Sequence, residues 1–121
     1  MKKKVYIIFN DGRRSFHKAE KFGELVTVMD SGYDSEYRRT DVMVNYIKER
    51  MAGFSDEDFI LMIGEPTLCA LVTNVAVELS ETKSVNILRW DKIHMSYIPL
   101  MVDFSVVKQS QADFNIGEVD G

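Results

Sequence analysis

The sequence predicts an α/β fold: a single three-layer, Rossmann-like domain whose sheet is mostly parallel and ends in an antiparallel edge hairpin. Three observations carry that reading. Val5–Phe9 and Phe59–Ile63 are nearly uninterrupted apolar runs rich in β-branched and aromatic residues, the pattern of strands covered on both faces. The segment from Asn10 to Glu24 is long for a hairpin and sufficient for a crossover that returns parallel. Residues 59–90 read as strand, helix, strand, a unit whose crossover is right-handed.

Taken in order, Val5–Phe9 is a central strand stopped by Asn10-Asp11-Gly12, where Asn and Asp bond their own backbone and Gly takes positive φ. Ser15 to Phe22 reads as a short helical piece with Ser15 as N-cap and Phe16 and Phe22 as its core contacts. After Gly23, Glu24–Met29 is a second strand. The polar loop Asp30–Ser35 opens at its C-terminal end, where ligands bind in open α/β sheets. A helix starts at Thr40-Asp41, carries an apolar stripe of Met43, Val44, Ile47 and Met51, and stops at Gly53.

The chain is organised around Asp56–Ser80. An acidic lead-in, Asp56-Glu57-Asp58, enters the strand Phe59–Ile63. Gly64 permits a tight turn, and Pro66 suits a first helical position, where its missing N–H would be unbonded anyway. From Thr67 to Leu79 the helix is apolar nearly all round, so it is sunk in the core or shows a second apolar face to another subunit. Ser84–Trp90 is a further strand, Asp91–His94 a turn, and Met95–Phe104 a strand returning antiparallel. Pro99 cannot donate to a ladder, which puts that last strand at an edge. The domain is expected to span residues 1–104, with 105–121 as a mobile or partner-ordered tail.

With 121 residues and 45% hydrophobic content, the chain can bury one core without disulfide or metal. The lone Cys69 reads as a small buried hydrophobe on a helix. Only five apolar residues follow Lys2–Lys4, too few for a signal peptide, and no run reaches a membrane span, so the expected location is the cytoplasm. The net charge of −4 is uneven: residues 1–53 carry 11 Lys/Arg against 8 Asp/Glu, and residues 54–121 carry 4 against 11. That asymmetry is either ordinary solvated surface or a polarised surface that steers a charged partner. Long nucleic acid, which needs a continuous basic face, is disfavoured.

No catalytic motif stands out. The Gly64-Glu65-Pro66-Thr67 turn has the geometry of an anion site, yet it has one Gly, a Pro without a donor and a Glu where phosphate would sit. A plain strand-to-helix turn, or recognition of an amine, hydroxyl or peptide group by Glu65, fits better. Asp56, Glu57 and Asp58 alternate sides and do not converge on one ion, which leaves capping and loop roles. Asp30, Asp34 and Asp41 form a looser oxygen set. His17 and His94 lack zinc spacing; His94 with Asp91 is either a base pair or a surface turn. Lys2–Lys4, Arg13, Arg14, Arg38 and Arg39, with Tyr33 and Tyr37 beside them, would make a single-strand or nucleotide surface if gathered at one sheet end. Trp90 and Tyr97 form an interface patch or cap the core.

The segments AEKFGE (19–24), D-x-D-F-I-L-x-x-G (56–64) and I-L-R-W-D (87–91) resemble a group of short proteins encoded by tailed bacteriophages, over residues 4–104. The resemblance implies a phage accessory protein in the bacterial cytoplasm and carries over no catalytic residues. The leading expectation is therefore a non-enzymatic protein that binds a host or phage protein or its own copy, without cofactor or metal. Its partner surface is Trp90, Asp91, His94 and Tyr97. The alternative is a small-molecule or nucleotide binder with its site at Asn10, Asp11, Asp30, Gly64, Glu65 and Thr67. A further alternative is single-strand nucleic-acid binding.

Overall fold

The structure, a computed structural model, describes residues 2–31 and 39–106. Its elements follow the chain as β1 (Lys4–Asn10), a 3-10 helix η1 (His17–Phe22), β2 (Glu24–Asp30), α1 (Thr40–Arg50), β3 (Phe59–Leu61), α2 (Pro66–Leu79), β4 (Ser84–Asp91), β5 (Ser96–Asp103) and a closing 3-10 turn, Phe104–Val106. Tyr33, Asp34, Ser35, Tyr37 and Arg38 lie outside the described residues, as does the expected tail from residue 107 onward.

The five strands order as β2-β1-β3-β4-β5. The first three pairings are parallel and β4–β5 is antiparallel. This is a mixed α/β fold with a mostly parallel sheet. The doubly apolar strands divide their side chains as the period of two demands. Tyr6, Ile8 and Ile60 join α1 and α2 in the larger core, with Ile47, Leu68, Val72 and Val75. Val5, Ile7 and Leu61 face the other way and pack with Phe16, Ala19 and Leu88 beneath η1. Both α-helices thus cover one face of the sheet, and among the described residues the opposite face is covered by the six-residue 3-10 helix and Phe16 before it.

Several local expectations needed correction. Ser15 does not cap a helix: η1 begins at His17 without a side-chain cap. The Ser15 hydroxyl instead contacts the His17 ring Nδ1 at 2.9 Å. β3 ends at Leu61, two residues early: the Met62 N–H makes the last ladder bond, to the Leu88 carbonyl at 3.0 Å, and the Ile63 N–H then folds back on the Leu61 carbonyl at 2.9 Å. α2 is buried along Leu68, Val72, Val75 and Ala76, while Cys69, Leu71 and Val77 are half-buried and Leu79 is exposed. It is neither fully sunk nor bare. Cys69 lies beside a shallow groove shared with Val77 and Phe104, and burial, then Glu65, pushes its thiol pKa up, so the neutral form prevails.

The acidic lead-in proved structural in a way that capping and solvated-loop roles do not describe. Asp58 is buried, and its carboxylate accepts from the N–H of Lys4 at 2.9 Å and of Ser55 at 2.8 Å. Asp56 accepts from Glu81 at 3.0 Å and Thr82 at 2.9 Å, and its pKa is held below the usual carboxylate value by Thr82 first of all. Asn86 donates to the carbonyls of Asp56 and Asp58. These bonds tie the entries of β1, β3 and β4 together at the N-terminal end of the parallel strands. Close by, Gly23 touches β1: a Cβ there would sit 2.5 Å from the Lys3 carbonyl oxygen.

At the far edge, Pro99 stands in register with Leu88. Because the Leu88 carbonyl points to Met62, that pair is a non-bonded one of the antiparallel ladder, and Pro99 directs its donorless backbone at the open edge of β5.

Candidate functional site: a basic, aromatic cleft at the strand ends

The opposite, C-terminal end of the parallel strands is open on the η1 face. A cleft of about 410 Å³ lies there between the Arg14–Lys18 segment and the β4–β5 hairpin. Three strand ends position it. The turn after β1 delivers Arg14 through Lys18; it is shaped by Asn10, which accepts from the Gly12 N–H, and by Asp11, which accepts from the Arg13 N–H, both at 2.9 Å. The end of β3 supplies an apolar floor, Leu61 and Ile63. β4 and β5 supply Trp90 and Tyr97, cross-strand partners whose rings meet edge to face at 4.9 Å.

Lys18 links the two walls. Its ammonium lies 5.6 Å from the Trp90 ring centroid and donates to the Met95 carbonyl at 3.0 Å. Met95 itself holds a positive φ of 51° at the hairpin turn. Burial raises the Tyr97 phenol above its ordinary pKa, and the Arg14 guanidinium, which lines the same cleft, pulls it partly back. At the mouth, Ser15 and His17 form the hydroxyl–imidazole contact. The Ser15 oxygen also accepts from the His17 backbone N–H at 3.4 Å. Arg14 and Lys18 are cationic, and no carboxylate lines the cleft. The cleft thus offers a cationic rim over an aromatic and apolar interior.

The residues singled out in the sequence fall into four places. Trp90 and Tyr97 line the cleft, while Asp91 and His94 form their own contact in the hairpin turn, where Asp91 also accepts from the Ile93 N–H at 3.1 Å. His94, first among the causes, lowers the Asp91 pKa. Asn10, Asp11 and Asp30 border a shallow depression with Thr27 and Ser31. Gly64, Glu65 and Thr67 do not join it. Glu65 caps α2, its carboxylate accepting from the Leu68 N–H at 2.9 Å. Gly64, at φ 137°, packs so close to β1 that a Cβ would meet the Phe9 Cβ at 3.2 Å. No group of three or more His, Cys, Asp or Glu residues able to hold a metal occurs among the described residues.

Sequence reasoning missed Phe16 and Lys18 as site residues and gave His17 no partner. The available signal was position: they directly follow the C-terminal end of a central strand. Among the described residues the proposed basic cluster does not assemble, because Lys2 and Lys3 precede β1, Lys4 opens it, and Arg13-Arg14 follow it. Seven strand residues, roughly 20 Å, separate them.

Fold and cleft together define a small mixed α/β protein with an aromatic, basic recess at its strand ends and an apolar hairpin beside it. The chain belongs to the phage Pam3 gp32-like protein family, whose model matches residues 3–104. No curated protein and no solved structure matches it. Among the described residues no helix is long and apolar enough to cross a membrane.

Proposed function

We propose that this phage protein acts without catalysis, by protein–protein interaction in the bacterial cytoplasm, and that the β4–β5 hairpin is its contact surface. One observation carries the reading. Among the described residues the exposed large hydrophobics are Leu79, Trp90, Ile93, Met95, Leu100, Met101 and Phe104, and all but the first lie on or just after that hairpin. Ile93 is 86% and Met101 66% exposed, values that a side chain serving only the fold has no reason to reach. Tryptophan beside tyrosine at the hairpin's end supplies the residue types that anchor interfaces. The partner is a host or phage protein, or a second copy of this chain as a homodimer. The strand order, and η1 lying opposite two helices, support a reduced Rossmann-like three-layer domain as the scaffold.

The test compares the wild type with an Ile93→Glu/Met101→Glu variant as bait in lysate of infected bacteria, and by sedimentation for self-association. A stoichiometric partner or dimer should be present with the wild type and lost with the variant, while the unfolding midpoint stays the same because both side chains are exposed. Retention of the same partner by the variant would remove the hairpin from the proposal.

A further inference from the structure

We propose that the cleft between η1 and the β4–β5 hairpin is a binding site for a planar aromatic anion of about mononucleotide size. The ring would lie against Trp90 and the charge on Arg14 and Lys18. This goes beyond the hairpin's partner: it concerns the recess behind the hairpin, and it stands or falls without any protein being captured.

Size comes first. At about 410 Å³ the cleft falls within the range of pockets that hold small organic ligands, and it is too large to be a packing defect. Its place matters equally, because the C-terminal end of the parallel strands is where open α/β sheets receive ligands. Chemistry then narrows the class. The floor is aliphatic, from Leu61 and Ile63, and the wall is the Trp90–Tyr97 pair. Trp90 is 38% exposed although its cross-strand partner already covers an edge, so part of the indole is left for a ligand to stack on.

Charge gives the sign. Among the described residues no carboxylate pairs with Arg14 or Lys18; the salt bridges there involve Arg39, Lys48 and His94 instead. Lys18 uses the Met95 carbonyl for one of three donors, and its ammonium stays beside the indole face. A cationic ligand would be repelled, and a small inorganic anion would leave floor and indole unused. A ligand with an aromatic ring and one anionic group uses both halves. Ser15 and His17 at the mouth add a hydroxyl and an imidazole as further polar groups.

Trp90 is the only tryptophan in the chain, so its fluorescence reports on this cleft alone. The experiment titrates the full-length protein with AMP, adenosine and inorganic phosphate, each followed by Trp emission and by thermal shift. AMP should give a saturable emission change and a raised unfolding midpoint, with adenosine and phosphate each at least about tenfold weaker. An Arg14→Gln/Lys18→Gln variant should lose about tenfold or more in AMP affinity while adenosine binding is unchanged. Both side chains are exposed, so the variant should retain the wild-type far-UV spectrum and free-state midpoint. Absence of a saturable AMP response by either readout would overturn the proposal. So would equal affinity for AMP and adenosine, equal affinity for AMP and phosphate, or an unchanged AMP affinity in the double variant.

Discussion

The two ends of the parallel strands use their polar residues in opposite ways. At the N-terminal end the acidic side chains are spent on the fold. Asp58 holds two backbone donors, Asp56 holds two more, and Asn86 closes the knot between their carbonyls. At the C-terminal end Arg14 and Lys18 meet no carboxylate among the described residues and stand around an aromatic cleft. Charge density alone would rank the acidic run as the more promising site. Partner accounting reverses the ranking: a charged group whose bonds all go to its own backbone has little left for a ligand.

The comparison can be broken first at Asp58. Asp58→Ala leaves two N–H groups without their acceptor, one at the entry of β1, and should cost about 3 kcal/mol in chemical denaturation. A loss near zero would show that water replaces the carboxylate and that the knot is dispensable. Gly23→Ala, at the same end, should cost about 2 kcal/mol, since the new methyl drives back the Lys3 carbonyl that accepts from Glu24.

Asp56→Asn should destabilise less, and its effect should depend on pH. The folded-state pKa of Asp56 is lowered, so its carboxylate contributes stability above the unfolded value of about 3.9, and that contribution fades as pH falls through the folded value. Wild type and variant should therefore differ at neutral pH and converge in acid. A gap that stays constant down to acid pH would show that the titration of this carboxyl is not the cause. The smallest effect belongs to the other end. Lys18→Gln should change stability by only about 0.5 kcal/mol, because its cation–π contact and single backbone bond are both exposed. A loss as large as at Asp58 would mean that the cleft wall is a structural brace.

Much of the scaffold was legible because the signals were local. Val5–Phe9 and Ser84–Trp90 read as strands from their own composition, and Pro66 marked the start of α2 to the residue. Pro99 marked the edge. Misreadings arose where a distant partner decided the outcome. Nothing local tells that the Asp56 carboxylate will meet N–H groups 25 and 26 residues away, and β3 stops early because Ile63 folds back on Leu61. Ser15 has the chemistry of a cap, yet its hydroxyl found the His17 ring two residues on. Half of the cleft was visible for a similar reason. Trp90 and Tyr97 attract notice as residue types, whereas Phe16 and Lys18 matter only because β1, β3 and the hairpin converge there.

Pro99 has a consequence for how this molecule can meet others. An open edge strand ordinarily offers an alternating row of donors and acceptors that any extended chain can zip onto. On β5 that row runs through Tyr97, Pro99, Met101 and Asp103, and its second position has no hydrogen to give. The longest uninterrupted stretch of edge donors is Met101 with Asp103. The β5 edge therefore resists being lengthened by a neighbour's strand, even with Leu100 and Met101 bare beside it. Association at this edge has to come broadside, through side chains, where shape and chemistry select the partner and backbone stickiness does not.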